Sequence, residues 1–177
     1  MRRVRTPELQ PGEVAELRDL LWAAFPPGEE AFTEEDWEHA MGGTHVLLTI
    51  GDRLAAHASV VERTLHVAEH AVRTGYVEAV ATSPDLQGGG LGTLVMEEVG
   101  AIIRDGYEMG ALGTGAHHFY ERLGWRTWRG PTSVRTVTGE RRTPDEDGFV
   151  MILTTPTSPA LDLDLPLSCE WRPGDVW

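Results

Sequence analysis

Apolar residues recur at helical spacing at Val14, Leu17, Leu20 and Leu21, behind Pro11 and with acids in the first turn, so a helix is predicted over 13–22. Ahead of it, residues 3–6 could start an edge strand. A second, short helix is expected to begin at Thr33, where Thr33-Glu34-Glu35-Asp36 has the form of a capping arrangement, and to end at Gly42-Gly43. The period then shortens to that of strands. Residues 45–50 and 54–61 are strand-like runs joined by Gly51-Asp52, a two-residue hairpin signal, and a third strand over 71–82 follows a turn near Ala68-Glu69. Farther along, the pattern predicts a helix over 91–104, a strand over 107–112 and a helix over 116–123 ended by Gly124. Strands over 125–128 and 149–154 complete the set. Residues 136–148 read as a polar loop, and the tail from Pro156 shows no clear period.

A strand meander followed by strand, loop, helix, strand, helix and strand predicts a mixed α/β (α+β) fold with a mostly antiparallel sheet flanked by helices. With 177 residues and no repeat, linker or low-complexity segment, residues 1–177 are expected to form one domain.

The junction at 77–92 carries the sharpest chemistry. The apolar run Val77 to Thr82 stops at Ser83-Pro84, and Gln87-Gly88-Gly89-Gly90-Leu91-Gly92 opens directly into the 91–104 helix. Backbone N–H groups at a helix start sit at the positive end of its dipole, roughly +0.5 of a charge, and favour a phosphate. The spacing separates the candidates. A Walker loop ends in Gly-Lys-Ser/Thr, whereas Leu91-Gly92-Thr93 has no lysine, and the dinucleotide pattern G-x-G-x-x-G fails at Thr93. The pattern Gln/Arg-x-x-Gly-x-Gly/Ala fits, filled by Gln87, Gly90 and Gly92. It resembles the pyrophosphate loop of the GNAT superfamily of acetyl-coenzyme A-dependent N-acetyltransferases. The bland alternative is a glycine-rich turn that only caps a helix.

Composition narrows the partners. Net charge of −13 argues against nucleic acid, which needs a basic stripe, and would suit a polycationic substrate. All 15 basic residues are arginine. No apolar run approaches the roughly 18 residues of a membrane span, and residues 1–6 lack the apolar core of a secretory signal, so a cytoplasmic protein without membrane contact is expected. Cys169 is the single cysteine, which precludes an internal disulfide.

Beyond the loop, several blocks resemble the aminoglycoside 2'-N-acetyltransferase family. They are 32–39 (FTEEDWEH), 75–81 (GYVEAVA), Gly124-Trp125, 128–134 (WRGPTSV), 142–148 (RTPDEDG) and 169–177 (CEWRPGDVW). The resemblance covers nearly everything after the first helix, and the Gly130-Pro131-Thr132-Ser133 block and the final tryptophan are its most specific parts. It implies a GNAT acyl-CoA N-acyltransferase fold and transfer of acetyl from acetyl-coenzyme A to the 2'-amine of an aminoglycoside, directly and with no metal. By position it implies that backbone groups of Val80, Ala81 and Thr82 hold the pantetheine arm in a splayed strand gap. Gln87, Gly88, Gly89, Gly90, Leu91 and Gly92 would hold the pyrophosphate. Asp36, Glu78, Ala79, Gly113, Asp145, Glu146, Asp175 and Trp177 with its carboxylate would line the aminoglycoside site. Similar enzymes are often homodimers. The chain departs from the family in having Gly113 where a substrate-contacting serine can stand, Glu146 in place of an aspartate, and a shortened 113–119 segment.

The residues suit this chemistry. An amino-sugar nitrogen is largely ammonium near neutral pH, so transfer needs a proton acceptor, and the leaving thiolate benefits from a donor. Glu78 lies beside the loop that presents the thioester and is the candidate acceptor, directly or through water. Tyr120 stands where similar enzymes place the tyrosine that protonates sulfur, although an aromatic packing residue beside Phe119 is the alternative. Carboxylates at Asp36, Asp145, Glu146 and Asp175 offer charge. One held about 4 Å from an ammonium is worth about 4 kcal/mol at an effective dielectric of about 20, before desolvation; their commoner fate is a solvated acidic face.

His66-Val67-Ala68-Glu69-His70 spells a zinc-protease motif, but one that works only on a helix, and this stretch is expected in a hairpin. His117 and His118 lack obvious ligand partners, and Cys169 reads as a buried structural thiol. Two competing enzymes remain, a kasugamycin-type amino-sugar acetyltransferase and a GNAT acting on another small amine or a protein N-terminus. A third reading, a catalytically idle coenzyme A-binding module, is disfavoured by the presence of Glu78 and Tyr120.

Overall fold

The computed structural model describes residues 1–28 and 31–177. They fall into two compact units, one of residues 1–61 and 77–99 and the other of 62–76 and 100–177. In the first, β1 (Arg2–Arg5) pairs antiparallel with β2 (Thr44–Ile50), and β2 pairs antiparallel with the first part of β3 (Arg53–Val67). The end of β4 (His70–Thr82) belongs to this unit and neighbours β3.

Helix α1 (Pro11–Ala24) starts on a proline, whose missing N–H costs nothing at that position, and Glu13 accepts the Gln10 N–H at 2.9 Å. Its Leu17, Leu20 and Leu21 are buried with Val4, Leu47, Leu54 and Ala81. Helix α2 (Glu34–Ala40) carries the expected capping box, with Thr33 and Asp36 each accepting the other's backbone N–H. Helix α3 (Leu91–Gly106) buries Val95, Met96, Val99 and Ile103 at helical spacing.

The second unit contains the remainder of β3 and β4 with β5 (Met109–Gly113), α4 (His117–Glu121), β6 (Arg126–Thr127), β7 (Thr132–Thr136), β8 (Gly139–Arg142), β9 (Val150–Thr154) and β10 (Leu167–Glu170). Its strand order is β6-β9-β5-β4-β3-β10-β7-β8. The β4–β5 and β10–β7 pairs are parallel, while β5–β9, β6–β9, β3–β10 and β7–β8 are antiparallel. The fold is therefore the expected α+β arrangement with a mixed, mostly antiparallel sheet. The core is Tyr76, Met109, Trp128, Val134, Ile152, Leu167, Cys169 and Trp177 with their neighbours.

Three strands lie where the pattern predicts none. β7 and β8 are rich in Thr, Ser and Arg, without apolar alternation, and hold together by their ladder and a Ser133–Glu140 hydrogen bond. β10 lies in the tail, where Leu167, Ser168 and Cys169 are buried between β3 and β7. β3 runs six residues past its expected end at Val61, because β10 gives it a partner there. The expected strand over 125–128 shrinks to Arg126–Thr127, and α4 is shorter than expected. The 66–70 motif spans the end of β3, a turn at Ala68 and Glu69, and the first residue of β4, so it is a hairpin as expected.

Candidate active site

In the first unit the glycine loop stands on a braced base. The Ser83 N–H donates to the Ala55 carbonyl at 2.9 Å, and one nitrogen of Arg53 reaches both Asp85 oxygens, at 2.7 and 2.8 Å, and Ser83 Oγ at 3.1 Å. The Ser83 hydroxyl, followed by Arg53, holds the Asp85 carboxyl below the ordinary range. After the 3-10 turn Pro84–Leu86, the Gln87 side-chain amide turns back to the Thr82 carbonyl at 3.4 Å. Gly88 and Gly90 have φ of 76° and 82°, a left-handed conformation that favours glycine, and a Cβ at either would meet nothing within 4 Å. The first helical bond runs from the Leu94 N–H to the Gly90 carbonyl at 3.2 Å. The N–H groups of Leu91, Gly92 and Thr93 thus have no carbonyl within the helix to bind. The loop presents open space and backbone donors on one braced turn, which is what a pyrophosphate requires.

Glu78, Ala79, Val80, Ala81 and Thr82 follow one another on β4. Ala79 has φ of 52°, an uncommon value for a residue with a Cβ, so the strand carries an irregularity there. Ser59 Oγ donates to the Glu78 carbonyl at 3.4 Å, and His57 Nδ1 lies 2.8 Å from the Ala79 carbonyl. In the second unit the β4–β5 ladder stops at Tyr76↔Ala111, although β5 continues beside β9 to Gly113. Asp36 is on α2, with one carboxylate oxygen accepting both the N–H and the hydroxyl of Thr33 at 2.9 Å. Capping is therefore a demonstrated duty of this residue.

The second unit gathers Gly113, Asp145, Glu146, Asp175 and Trp177. Asp145 and Glu146 occupy the 3-10 turn Pro144–Glu146. Burial first, then Asp175 and Asp145, raises the Glu146 carboxyl above its ordinary range, so the three acids share one field. The Trp177 indole is buried and donates to Thr143 Oγ1 at 3.0 Å, while its backbone N–H donates to Asp175 Oδ1 at 3.1 Å. Arg63 binds the Val176 carbonyl at 2.8 Å and Arg172 binds the Asp175 carbonyl at 2.7 Å. These bonds pin residues 172–177 to their surroundings. A Cβ at Gly113 would sit 3.6 Å from the Trp177 carbonyl carbon and 3.7 Å from the Tyr76 hydroxyl, room for a small side chain at van der Waals contact.

Tyr120 is buried on α4 between Phe119 and Trp125, edge-on to both at centroid distances of 4.9 and 6.2 Å. Burial pushes its phenol up to about 12, so the hydroxyl keeps its proton at neutral pH. His117 Nδ1 is 2.9 Å from Thr127 Oγ1, a structural contact. The Cys169 thiol is buried, donates to the Val176 carbonyl at 3.3 Å and is pushed up mainly by burial.

Sequence motifs do not reveal the residues that support these groups. His57 behind Ala79 belongs to no block of the resemblance, and Thr132, Thr143 and Asp147 behind the acidic turn lie in such blocks without any sign of their supporting role. The only signal for His57 is a histidine inside an otherwise apolar strand run.

The model of the acetyltransferase (GNAT) family matches residues 14–125. A curated aminoglycoside 2'-N-acetyltransferase of Mycolicibacterium fortuitum is 41% identical over 180 residues, covering 99% of this chain and 91% of that one. Among solved structures, a GNAT family acetyltransferase from Brucella melitensis, in complex with acetyl-CoA, superposes with a TM-score of 0.62 at 17% identity, over 91% of this chain and 90% of that one. A GCN5-related N-acetyltransferase from Kribbella flavida superposes at 0.59 with 21% identity, but the 73% of this chain that aligns spans only 33% of that longer protein.

Proposed function

The chain belongs to the aminoglycoside 2'-N-acetyltransferase family of the GNAT acetyltransferases, and on that premise we propose that it moves the acetyl group of acetyl-coenzyme A to the 2'-amine of an aminoglycoside. The near-full-length match to a curated enzyme of that name carries this reading. The glycine loop supports the donor half. Its left-handed glycines, open face and helix-start N–H groups, which have no carbonyl within the helix, fit a pyrophosphate held by Gln87, Gly88, Gly89, Gly90, Leu91 and Gly92. Backbone groups of Val80, Ala81 and Thr82 hold the pantetheine arm.

Acetyl transfer is direct. The amine nitrogen bonds to the acetyl carbon, the carbon–sulfur bond breaks, Glu78 takes the proton the amine sheds, and Tyr120 gives its phenol proton to the departing sulfur. Tyr120 keeps its phenol proton at neutral pH and so has one to give. The buried, protonated Cys169 argues against an acyl-enzyme through the chain's single thiol. In the second unit, Asp145, Glu146 and Asp175 hold the ammonium groups of the sugar, with Trp177 and Gly113 beside them. Glu146 is strained by its neighbours' charge, and a bound cation relieves that repulsion. Asp36, Glu78 and Ala79 are further sugar contacts that the family resemblance implies. The chain is one catalytic domain that works as a homodimer, as the family resemblance implies, in the cytoplasm. Among the described residues no helix is long and apolar enough to cross a membrane.

Thiol release from acetyl-coenzyme A tests the proposal. Gentamicin and tobramycin, which bear a 2'-amine, should be turned over, and kanamycin A and amikacin, which lack it, should not. Robust acetylation of kanamycin A, or preference for kasugamycin or an N-terminal peptide, overturns it.

A further inference from the structure

Two fully buried histidines lie behind the strand that carries Glu78. His45 on β2 and His57 on β3 are diagonal cross-strand neighbours, in the register His45↔Ser59 and Leu47↔His57. His45 Nδ1 lies 2.9 Å from His57 Nε2, Thr6 Oγ1 lies 2.8 Å from His45 Nε2, and His57 Nδ1 lies 2.8 Å from the Ala79 carbonyl. One atom orients the whole series. A carbonyl oxygen only accepts, so the His57 proton is on Nδ1. The bare Nε2 then accepts from His45 Nδ1–H, and the bare His45 Nε2 takes the single Thr6 hydroxyl proton at 2.8 Å in preference to the Gly43 carbonyl, which lies farther off at 3.2 Å and already accepts the Thr6 N–H. This arrangement requires both rings to be neutral. Burial pushes His45 down to about 4, and burial together with His45 pushes His57 down to about 3, so they are neutral at physiological pH.

The bond lands on one of the two described residues, Ala68 and Ala79, that hold a positive φ despite carrying a Cβ. Ala79 is left-handed, a conformation a residue with a Cβ holds only when its surroundings impose it. Fixing its carbonyl fixes the Ala79–Val80 peptide plane, and because a trans peptide's C=O and N–H point opposite ways, the Val80 N–H is turned away from His57. We propose that His57 is a positioning residue for acetyl transfer: the oriented series Thr6–His45–His57 clamps the Ala79 carbonyl, and so sets the directions in which Glu78 and the Val80 N–H are presented. The inference rests on the roles given above to Glu78 and Val80.

Three measurements on the full chain test it. An N–H···N bond transmits a scalar coupling, so nitrogen NMR of the wild type should show one between His45 Nδ1 and His57 Nε2; its absence overturns the series. His57→Phe keeps the ring and deletes both nitrogens. In the folded variant kcat should fall about tenfold or more, as should acetyl-coenzyme A affinity by calorimetry. His57→Asn retains an amide N–H near the place of Nδ1 and should recover both to within about threefold of wild type. Wild-type kcat and affinity in His57→Phe, or an equal loss in His57→Asn, overturns the proposal. Should His57→Phe fail to fold, the Asn variant decides alone. If the wild type acetylates no aminoglycoside, the proposed acceptor is wrong, yet the coupling and the coenzyme affinity still decide the clamp.

Discussion

The indole N–H of Trp177 donates to the hydroxyl of Thr143 at 3.0 Å, joining the tail to the turn that bears Asp145 and Glu146. The bond continues inward. Thr143 Oγ1 donates to Thr132 Oγ1 at 3.0 Å, and the Thr132 N–H binds Asp147 Oδ1 at 2.8 Å, with Arg142 closing on the other carboxylate oxygen. The Thr132 backbone N–H leads the causes that hold the Asp147 carboxyl below its ordinary range. The acids proposed to meet the sugar are therefore positioned by neutral hydroxyls, a buried indole and one well-satisfied carboxylate.

Removing the tail should accordingly damage one substrate and spare the other. Deleting residues 175–177 is expected to raise the aminoglycoside KM by about tenfold or more, the equivalent of about 1.4 kcal/mol or above, with acetyl-coenzyme A affinity unchanged. Thr143→Val, which removes both the acceptor for the indole and the hydroxyl's bond to Thr132, should act in the same direction by about 1 kcal/mol or more. Steady-state kinetics beside calorimetry for the coenzyme make the comparison. Wild-type aminoglycoside kinetics in the truncated enzyme rule the tail out of the site.

Gly90 offers a sharper contrast. A Cβ there touches nothing, so Gly90→Ala should cost only the left-handed backbone penalty, about 1–2 kcal/mol of stability. Gly90→Asp adds the same strain and also points a carboxylate into the face proposed for the pyrophosphate. Thermal melts should show similar stability for the two variants, while calorimetry shows acetyl-coenzyme A binding surviving in Ala and lost in Asp. Equal binding in both variants excludes this loop as the phosphate site.

The contrast between loop and sheet shows what the sequence makes legible. The glycine loop could be read because its constraint is local: left-handed turns at Gly88 and Gly90 and a helix start are encoded in consecutive residues. The same holds for the Thr33–Asp36 cap and for α1. Strands β7, β8 and β10 could not be read, since Thr, Arg and Glu enter them only because a partner lies alongside, and periodicity does not record partners separated by 30 residues or more along the chain, as β10 and β7 are. Gly130 illustrates the same limit. A Cβ there would lie 1.9 Å from the Leu165 carbonyl oxygen, a close approach visible only once the tail has returned to it. The acidic residues were identified by family likeness, and their shared field emerges only when Asp175 is brought near Glu146.

Acid stability should report the histidine pair. A histidine with a depressed folded value stabilises the fold above its unfolded value of about 6.5, and this contribution is lost as pH falls through the folded values, about 4 for His45 and about 3 for His57. Below pH 6.5 the unfolded chain binds up to two protons that the folded chain refuses, a slope approaching about 2.7 kcal/mol per pH unit from the pair. Urea midpoints measured between pH 7 and pH 4 check the slope. Replacing both with Asn should flatten that part of the profile even if stability at pH 7 drops, and an unchanged slope would mean the rings are already protonated in the fold.

Tyr120 permits its two readings, proton donor and packing residue, to be separated by two independent measurements. Its phenol is buried and pushed from about 10 to about 12, so the folded state resists ionisation more strongly than the unfolded one. The stability this represents is complete below pH 10 and is lost as pH rises from about 10 to about 12. Tyr120→Phe should abolish that portion of the alkaline decline whatever the residue does in catalysis, because only burial is involved. Turnover is a different matter. If the phenol protonates the departing sulfur, Tyr120→Phe lowers kcat by about 100-fold or more at neutral pH, with both substrates binding nearly as before, since one oxygen is lost and little volume. A variant whose alkaline profile flattens while kcat remains that of the wild type identifies Tyr120 as a packing residue and leaves sulfur protonation to another group or to water.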